Sequence, residues 1–75
     1  MKIDNFRSLI LTPREQQVFR LVGDGLTSKE IAQCLEISQY TIHAHRRNIC
    51  LKLEIHSAAE LVSFAAKNKV SLRKG

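Results

Sequence analysis

The stretch from Ser38 to Leu53 constrains the fold and the function of this chain more than any other part of its sequence. Ser38 is a good helix N-cap, because its hydroxyl can accept a hydrogen bond from one of the first unpaired N–H groups of a helix. The residues that follow it, QYTIHAHRRNICLKL, include no glycine and no proline. This pattern predicts a helix of about four turns.

The two sides of this predicted helix differ in their chemistry. At roughly 100° per residue, one narrow stripe must face a core. The stripe consists of Ile42, His45, Ile49 and Leu53, and we interpret His45 as a packed core histidine with one hydrogen-bonded nitrogen. The opposite side, here called the outer face, consists of Tyr40, His43, Ala44, Arg47 and Asn48. The stretch has no carboxylate. An acid-free face rich in hydrogen-bond donors suits the major groove of DNA, although an ordinary solvated face is the alternative.

Charge is distributed unevenly along the chain. Residues 1–37 contain five basic and five acidic residues, whereas residues 38–75 contain seven basic and two acidic ones. The whole net charge of +5 therefore lies in the half that includes the predicted helix. Such an asymmetry indicates a polyphosphate partner, but it does not by itself separate DNA from RNA or from an anionic membrane.

Length and composition limit the remaining function classes. Seventy-five residues make one small domain that buries only about 60% of its unfolded surface. No apolar run approaches the roughly 18 residues of a membrane span, and residues 1–7 lack the apolar core of a signal peptide, so a cytoplasmic protein is expected. Two cysteines, Cys34 and Cys50, are too few for a disulfide scaffold and are expected as small buried thiols within helices.

Nothing in the sequence predicts catalysis or a cofactor. There is no nucleophile–base pair and no glycine-rich phosphate loop, so no enzyme activity and no small-molecule ligand are expected. A zinc site would have to combine the two cysteines with histidines at spacings that match no common pattern. Those histidines are His43, His45 and His56. We therefore expect neither a metal nor another cofactor.

Capping signals place two further helices before the outer-face helix. Thr12 and Glu15 form a capping-box pattern, and Pro13 occupies the first helical position of helix 1, which Gly25 is placed to end. The predicted buried seam of helix 1 is Val18, Leu21 and Val22. Thr27 and Glu30 repeat the pattern and open helix 2, whose inward residues are Ile31, Ala32 and Leu35. A short helix, a tight turn at 36–37 and a longer helix predict a helix-turn-helix.

A fourth helix is predicted from the pattern Ser57-Ala-Ala-Glu60 to about Lys67. Leu61, Phe64 and Ala65 share the face that should close the core, with Val70 as a last contact. The far side consists of Ala59, Val62, Ser63 and Ala66. These small residues either serve as good helix formers or allow a second copy of the chain to pack closely in a dimer. Residues 1–10 are expected to form an arm or linker, 11–70 the domain, and 71–75 a frayed basic tail.

About twenty positions over residues 11–67 resemble the LuxR/GerE-type helix-turn-helix domain, the output module of many bacterial response regulators and quorum-sensing regulators. They are LTPRE at 11–15, Val18, Leu21, Gly25, KEIA at 29–32, Leu35, Ile37, Ser38, Thr41, Ile42, His45, Asn48, Ile49, Lys52, Leu53, Glu60 and Leu61. The resemblance implies an all-α four-helix bundle with the helix-turn-helix at 28–47. It also implies sequence-specific transcriptional control and a homodimer formed through the fourth helix on double-stranded DNA. RNA polymerase is a further possible partner.

The resemblance also assigns roles to individual residues. It places base reading on His43, Ala44 and Arg47, to which the exposed side of the helix adds Tyr40. An arginine can pair with guanine through two hydrogen bonds, and an alanine can contact a thymine methyl group. The expected phosphate contacts are Thr27, Ser28, Lys29, Thr41, Arg46 and Lys52. The dimer interface would consist of Ala59, Val62, Ser63 and Ala66.

The chain departs from the family pattern at two places. His43 stands where the family usually has lysine, and Glu54-Ile55 stands where it usually has Gly-Val. Without that glycine, the third helix is expected to run slightly longer. Two alternatives remain at this level, a sigma-factor region 4-like promoter-binding domain and a protein-interaction module that docks through Tyr40 and Leu51.

Overall fold

The computed structural model describes the backbone of residues 10–74 and the side chains of residues 10–68. Four helices follow one another in this part of the chain: α1 (Pro13–Gly23), α2 (Ser28–Leu35), α3 (Gln39–Leu53) and α4 (Ala58–Lys74). The helix α1 packs against each of the other three, while α2 packs mainly against α3. The predicted all-α four-helix bundle is therefore confirmed. The arm expected at 1–10 lies almost wholly outside the described residues, as do the side chains of Val70 and the basic tail.

Local capping explains why α1 and α2 begin where they do. The hydroxyl of Thr12 accepts from the Glu15 N–H, and the Glu15 carboxylate accepts from the Thr12 N–H, so both halves of the predicted capping box form. Thr27 and Glu30 make the same pair of bonds at the start of α2. Each pair satisfies two N–H groups that a helix start would otherwise leave unpaired.

The hydrophobic core forms where α1 is enclosed by the other helices. Phe19 is 1% exposed, and its ring meets that of Phe64 edge-on, with centroids 5.9 Å apart. The predicted seam of α1 named Leu21 instead of Phe19, and this was wrong in part, because Leu21 is only half-buried at the core's margin. Phe19 is buried because α1 has partners on two sides, so its apolar surface is wider than a single stripe. Among the described residues, the largest fully buried side chains are those of Val18, Phe19, Val22, Ile31, Ile42, Ile49 and Leu61.

Two glycines at the end of α1, Gly23 and Gly25, have structural roles that other residues could not easily fill. A Cβ at Gly23 would lie 2.6 Å from the carbonyl oxygen of Ala65, so the close approach of α1 and α4 requires glycine there. Gly25, which the sequence places as the stop for α1, has a φ of +95°. This positive φ is readily adopted only by glycine.

The ends of α2 and α3 use left-handed residues that are not glycine. Glu36 follows α2 with a φ of 59°, and Glu54 follows α3 with a φ of 57°. The third helix therefore ends at Leu53 and does not run longer, contrary to the expectation from the missing glycine. Close behind it, the Ile55 N–H donates to the carbonyl of Cys50, and Ile55 is buried. The burial of Ile55 compensates for the strained left-handed conformation of Glu54, and this explains why α3 ends at Leu53.

The fourth helix differs from its prediction at both ends. Ser57 caps it by accepting from the Glu60 N–H, but the Glu60 carboxylate accepts from the N–H of His56 and not from that of Ser57, so the capping box is incomplete. The helix continues to Lys74, well past the predicted end near Lys67 and through the segment expected to fray. Asn68 is buried, and its side-chain amide donates to the Phe64 carbonyl one turn earlier, which supports the helix beyond Lys67.

The two cysteines were expected to be small buried thiols, and for Cys34 this is wrong. Cys34 is exposed, so it is not a buried helix thiol, whereas Cys50 is half-buried. Burial raises the pKa of the Cys50 thiol, and the positive charge of Arg46 opposes this only in part.

Among the described residues, no helix combines the length and the apolar character needed to cross a membrane.

Candidate nucleic-acid interface

The helix-turn-helix consists of α2, a three-residue connection and α3. Ile37, in the connection, donates its N–H to the carbonyl of Ala32, and its side chain packs against the core. Ala32 is 6% exposed at the contact between the two helices, where a small residue permits close approach. These contacts fix how α3 projects from the bundle.

The outer face is exposed along its whole length. Each member of this face is accessible to solvent, and Tyr40 is 84% exposed. The opposite side of α3 holds Ile42 and Ile49, both 0% exposed. The orientation predicted for α3 is therefore observed, and the outer face is accessible to a large partner. Contacts of the individual outer-face residues with bases stay predictions.

His45 was interpreted as a core histidine, and the structure corrects this. Its side chain is half-buried, at the edge between the apolar stripe and solvent. Within residues 10–68 its ring has no hydrogen-bond partner, so the expected single bond is absent. Leu53, the last member of the stripe, is also half-buried and packs against the core. The same described part contains no group of three or more His, Cys, Asp or Glu side chains that could hold a metal ion.

The start of α3 is capped without a carboxylate. Ser38 accepts from the Thr41 N–H, with a distance of 3.0 Å from N to Oγ. The position that holds Glu15 in α1 and Glu30 in α2 holds Thr41 here, and its hydroxyl lies 2.9 Å from that of Ser38. The first turn of α3 accordingly has no acidic residue. The first turn of α3 itself therefore presents no negative side chain to an approaching phosphate.

Most of the expected phosphate contacts lie at helix starts or on α3. Thr27 and Lys29 are exposed and Ser28 is half-buried, at the beginning of α2. Thr41 and Arg46 are half-buried on α3. The Thr27 hydroxyl already accepts the Glu30 N–H, and the Thr41 hydroxyl lies 2.9 Å from that of Ser38. A phosphate could therefore use only their remaining hydrogen-bonding capacity.

Lys52 has an intramolecular partner that sequence reasoning missed. Its ammonium Nζ lies 2.7 Å from Oε1 of Glu15, and the two side chains are 35% and 6% exposed. Burial raises the pKa of Glu15, but hydrogen bonds from Lys52 and Thr12 and the charge of Lys52 outweigh it, so the pKa lies below its ordinary value of 4.5. A phosphate at Lys52 would compete with this carboxylate. Its role in phosphate binding therefore stays a prediction that its geometry does not favour.

Two open grooves flank the helix-turn-helix. One, of about 300 Å³, lies between the end of α3 and the start of α4, and its walls include Arg46, Arg47 and His56. The other, of about 620 Å³, lies between α1 and α2 and is bordered by Arg14 and Arg20. The groove between α3 and α4 shares Arg47 with the outer face. Sequence reasoning did not identify this groove.

The far side of α4 presents the small residues expected to form a dimer interface. Ala59 and Ser63 are exposed, Val62 is 42% exposed, and Ala66 is half-buried. The described structure contains one chain, so pairing through this side stays a prediction.

Comparison with known proteins agrees with this geometry. Residues 9–65 match the family model described as bacterial regulatory proteins, luxR family. No solved structure matches the chain significantly. The matched residues include all of α1, α2 and α3 and the first half of α4, so they span the whole helix-turn-helix.

Several curated proteins are similar to the chain over most of its length. It is 46% identical over 57 residues to the uncharacterized response regulatory protein YgeK of Escherichia coli K12, covering 76% of the chain. It is 42% identical over 60 residues to the fimbriae Z protein of Salmonella typhimurium, covering 80%. It is 42% identical over 67 residues to the oxygen regulatory protein NreC of Staphylococcus carnosus, covering 89%.

These matches cover only part of the relatives themselves. The matched region is 39% of YgeK, 29% of the fimbriae Z protein and 30% of NreC. The similarity therefore concerns the domain that contains the helix-turn-helix and not the full regulators. The chain belongs to the luxR family of bacterial regulatory proteins and carries the DNA-binding helix-turn-helix domain of these transcriptional regulators.

Proposed function

We propose that this chain controls transcription by binding a specific DNA sequence, with the outer face of α3 in the major groove. The observation that carries the proposal is the contrast between the two sides of α3. One side buries Ile42 and Ile49 completely, and the other exposes an acid-free set of donors. A helix of this kind can enter the major groove, where each base pair presents a distinct pattern of donors and acceptors.

Within this proposal, base reading falls to Tyr40, His43, Ala44 and Arg47. Arg47 is the strongest candidate, because a guanidinium can donate two hydrogen bonds to O6 and N7 of guanine. Phosphate contacts from the start of α2 would fix the register of the helix on the duplex. These are contacts of Thr27, Ser28 and Lys29, joined by Thr41 and Arg46 from α3.

We further propose that the chain acts as a homodimer on DNA, with two copies joined through the far side of α4. The support is the run of small or exposed residues there, which would allow two helices to approach closely around a two-fold axis. A dimer of this kind would bind two half-sites. Contact with RNA polymerase and action in the cytoplasm, where bacterial DNA lies, follow from the same proposal.

The alternative functions have unequal support. The luxR-family match favours the present proposal over a sigma-factor region 4-like domain. A protein-docking role for the outer side of α3 draws on Tyr40 and Leu51, which are 84% and 71% exposed. Exposed apolar side chains mark an interaction site where they form a continuous patch. Absence of any DNA binding at low salt would favour this second candidate.

Selection of bound sequences from random double-stranded DNA tests the proposal. We expect one enriched motif with two-fold symmetry, bound with an affinity that falls with salt at a log–log slope of about −0.9 per phosphate neutralised. Arg47→Ala should remove about 1–3 kcal/mol of discrimination at one base position. Arg20→Ala, which removes an arginine from α1, is the matched control and should leave the motif unchanged. Enrichment of no motif, or equal effects of the two variants, would contradict the proposal.

A further inference from the structure

The groove between the end of α3 and the start of α4 combines an apolar floor with basic walls. The floor consists of Ile55 and Leu61, which are 9% and 1% exposed, together with the half-buried Cys50. The walls carry Arg46, Arg47 and His56. Arg47 and His56 are exposed, so their polar groups are available to a ligand in the groove.

No carboxylate lines this groove. The nearest acid on α4 is Glu60, whose Oε1 accepts the N–H of His56 at 3.0 Å. The hydroxyl of Ser57, which does line the groove, accepts from the Glu60 N–H. The start of α4 is thus capped by its own side chains, and an anion in the groove would meet the basic side chains of the walls.

The groove is continuous with the proposed DNA interface, because Arg47 belongs to both. A duplex that received the outer face in its major groove would carry its sugar–phosphate backbone past the end of α3. A phosphodiester suits the groove chemically, since its phosphate needs cationic donors and its deoxyribose can lie against apolar side chains. An acidic protein segment would find the same charges but no shared interface to bring it there.

We propose that the groove between α3 and α4 binds the DNA backbone, so that the interface extends beyond the helix-turn-helix to His56 and the turn before α4. This inference rests on the proposed function, because it concerns the same duplex. It adds His56 as a phosphate-contacting residue and gives Arg46 a defined location for its phosphate contact. It also makes residues 55–57, which line the groove, part of the binding surface.

Changing the charge of the groove tests the inference in the full chain. Ala58 is exposed, lines the groove and makes no side-chain hydrogen bond, so Ala58→Lys adds one cation there. We expect affinity for the selected DNA to rise about threefold to tenfold and the log–log salt slope to steepen by about 0.9. His56→Glu should lower affinity about tenfold or more, because it places a negative charge beside a phosphate.

Matched changes at Gln17 serve as controls, because this exposed residue lines the other groove, between α1 and α2. Gln17→Lys adds the same charge as Ala58→Lys, and Gln17→Glu adds the same charge as His56→Glu. Both Gln17 variants should change affinity by less than about twofold, because Gln17 lies away from the proposed phosphate contacts. Thermal unfolding identifies any variant that fails to fold. Because Ala58→Lys and His56→Glu are separate variants, either one still tests the groove if the other does not fold. Equal effects at Gln17 and in the groove, or no effect in either, would overturn the inference.

The two proposals fail differently. If the wild-type chain enriches a DNA motif and Arg47→Ala relaxes it, the proposed function stands whatever the groove variants do. Groove variants that then behave like the Gln17 controls contradict the groove alone. If the wild-type chain binds no DNA even at low salt, the proposed function is wrong, and the inference falls with it.

Discussion

The helices α1 and α3 use similar lengths of chain for different purposes. Four of the eleven residues of α1 are buried, compared with two of the fifteen of α3. A buried carboxylate, Glu15, completes the capping of α1, whereas at the start of α3 the Ser38 hydroxyl accepts the Thr41 N–H and lies beside the Thr41 hydroxyl. We infer that α1 supplies stability, while α3 gives up burial and acidic capping so that its outer face can meet a polyanion.

The largest difference expected between the two helices concerns stability. Phe19→Ala in α1 should lower the free energy of unfolding by about 3–5 kcal/mol, because it leaves a cavity beside Phe64. Tyr40→Ala removes an aromatic ring from α3, but that ring is exposed, so the change should stay within about 0.5 kcal/mol. Urea denaturation measures both values. Comparable losses would contradict the division of roles.

The ion pair between the two helices should give a smaller effect that depends on pH. Glu15→Gln should lower the free energy of unfolding by about 1–2 kcal/mol at neutral pH, since it weakens hydrogen bonds to a charged group that is partly screened by solvent. The pKa of Glu15 is lowered in the folded state. Its stabilising contribution is therefore fully present above the ordinary value of 4.5 and is lost as the pH falls through the folded value.

Glu30→Gln provides the control for this prediction. Glu30 makes the same capping bonds at the start of α2, but it is exposed, and no lysine pairs with it among the described residues. Its replacement should cost less and should leave the acid unfolding curve nearly unchanged. If wild type and Glu15→Gln lose stability in parallel below pH 4.5, the ion pair does not contribute as proposed.

Completing the capping box of α3 should separate stability from binding. Thr41→Glu places a carboxylate where α1 and α2 have theirs, and we expect a gain of about 0.5 kcal/mol in the free energy of unfolding. The same carboxylate should weaken DNA binding about tenfold, because it faces the phosphates. Thr41→Gln supplies a similar shape without charge. An unchanged affinity of Thr41→Glu would indicate that this end of α3 lies away from DNA.

A similarly small effect on stability is expected at the end of α3. Glu54 has a φ of 57°, which glycine adopts without steric cost. Glu54→Gly should raise the free energy of unfolding by about 0.5–1 kcal/mol. Glu54→Gln removes the charge and keeps the strain, so it should give little gain. Lower stability of Glu54→Gly would show that the left-handed turn is supported by contacts of the glutamate itself.

What the sequence predicts well is local in origin. The two capping boxes, the cap at Ser38 and the positive φ of Gly25 involve residues within three or four positions of one another. The stripe of α3 also follows from helical periodicity, which places Ile42 and Ile49 inside and Arg47 outside. The family resemblance predicted the fold class and the helix-turn-helix from such short-range patterns.

What the sequence does not predict depends on tertiary neighbours. Lys52 and Glu15 are 37 positions apart, so no local pattern pairs them. The burial of Phe19 requires knowing that α1 has partners on two sides. The early end of α3 depends on the burial of Ile55 after a strained glutamate. The basic groove likewise exists only because the start of α4 returns beside Arg46 and Arg47.

An NMR titration of the chain with its selected duplex tests the central claim most directly. Backbone amide shifts and intermolecular contacts should be largest for the outer face of α3, with direct contacts from the Arg47 guanidinium to a guanine edge. Residues bordering the groove between α1 and α2, such as Gln17 and Cys34, should change little. Large changes confined to that groove, with the outer face unaffected, would contradict the account.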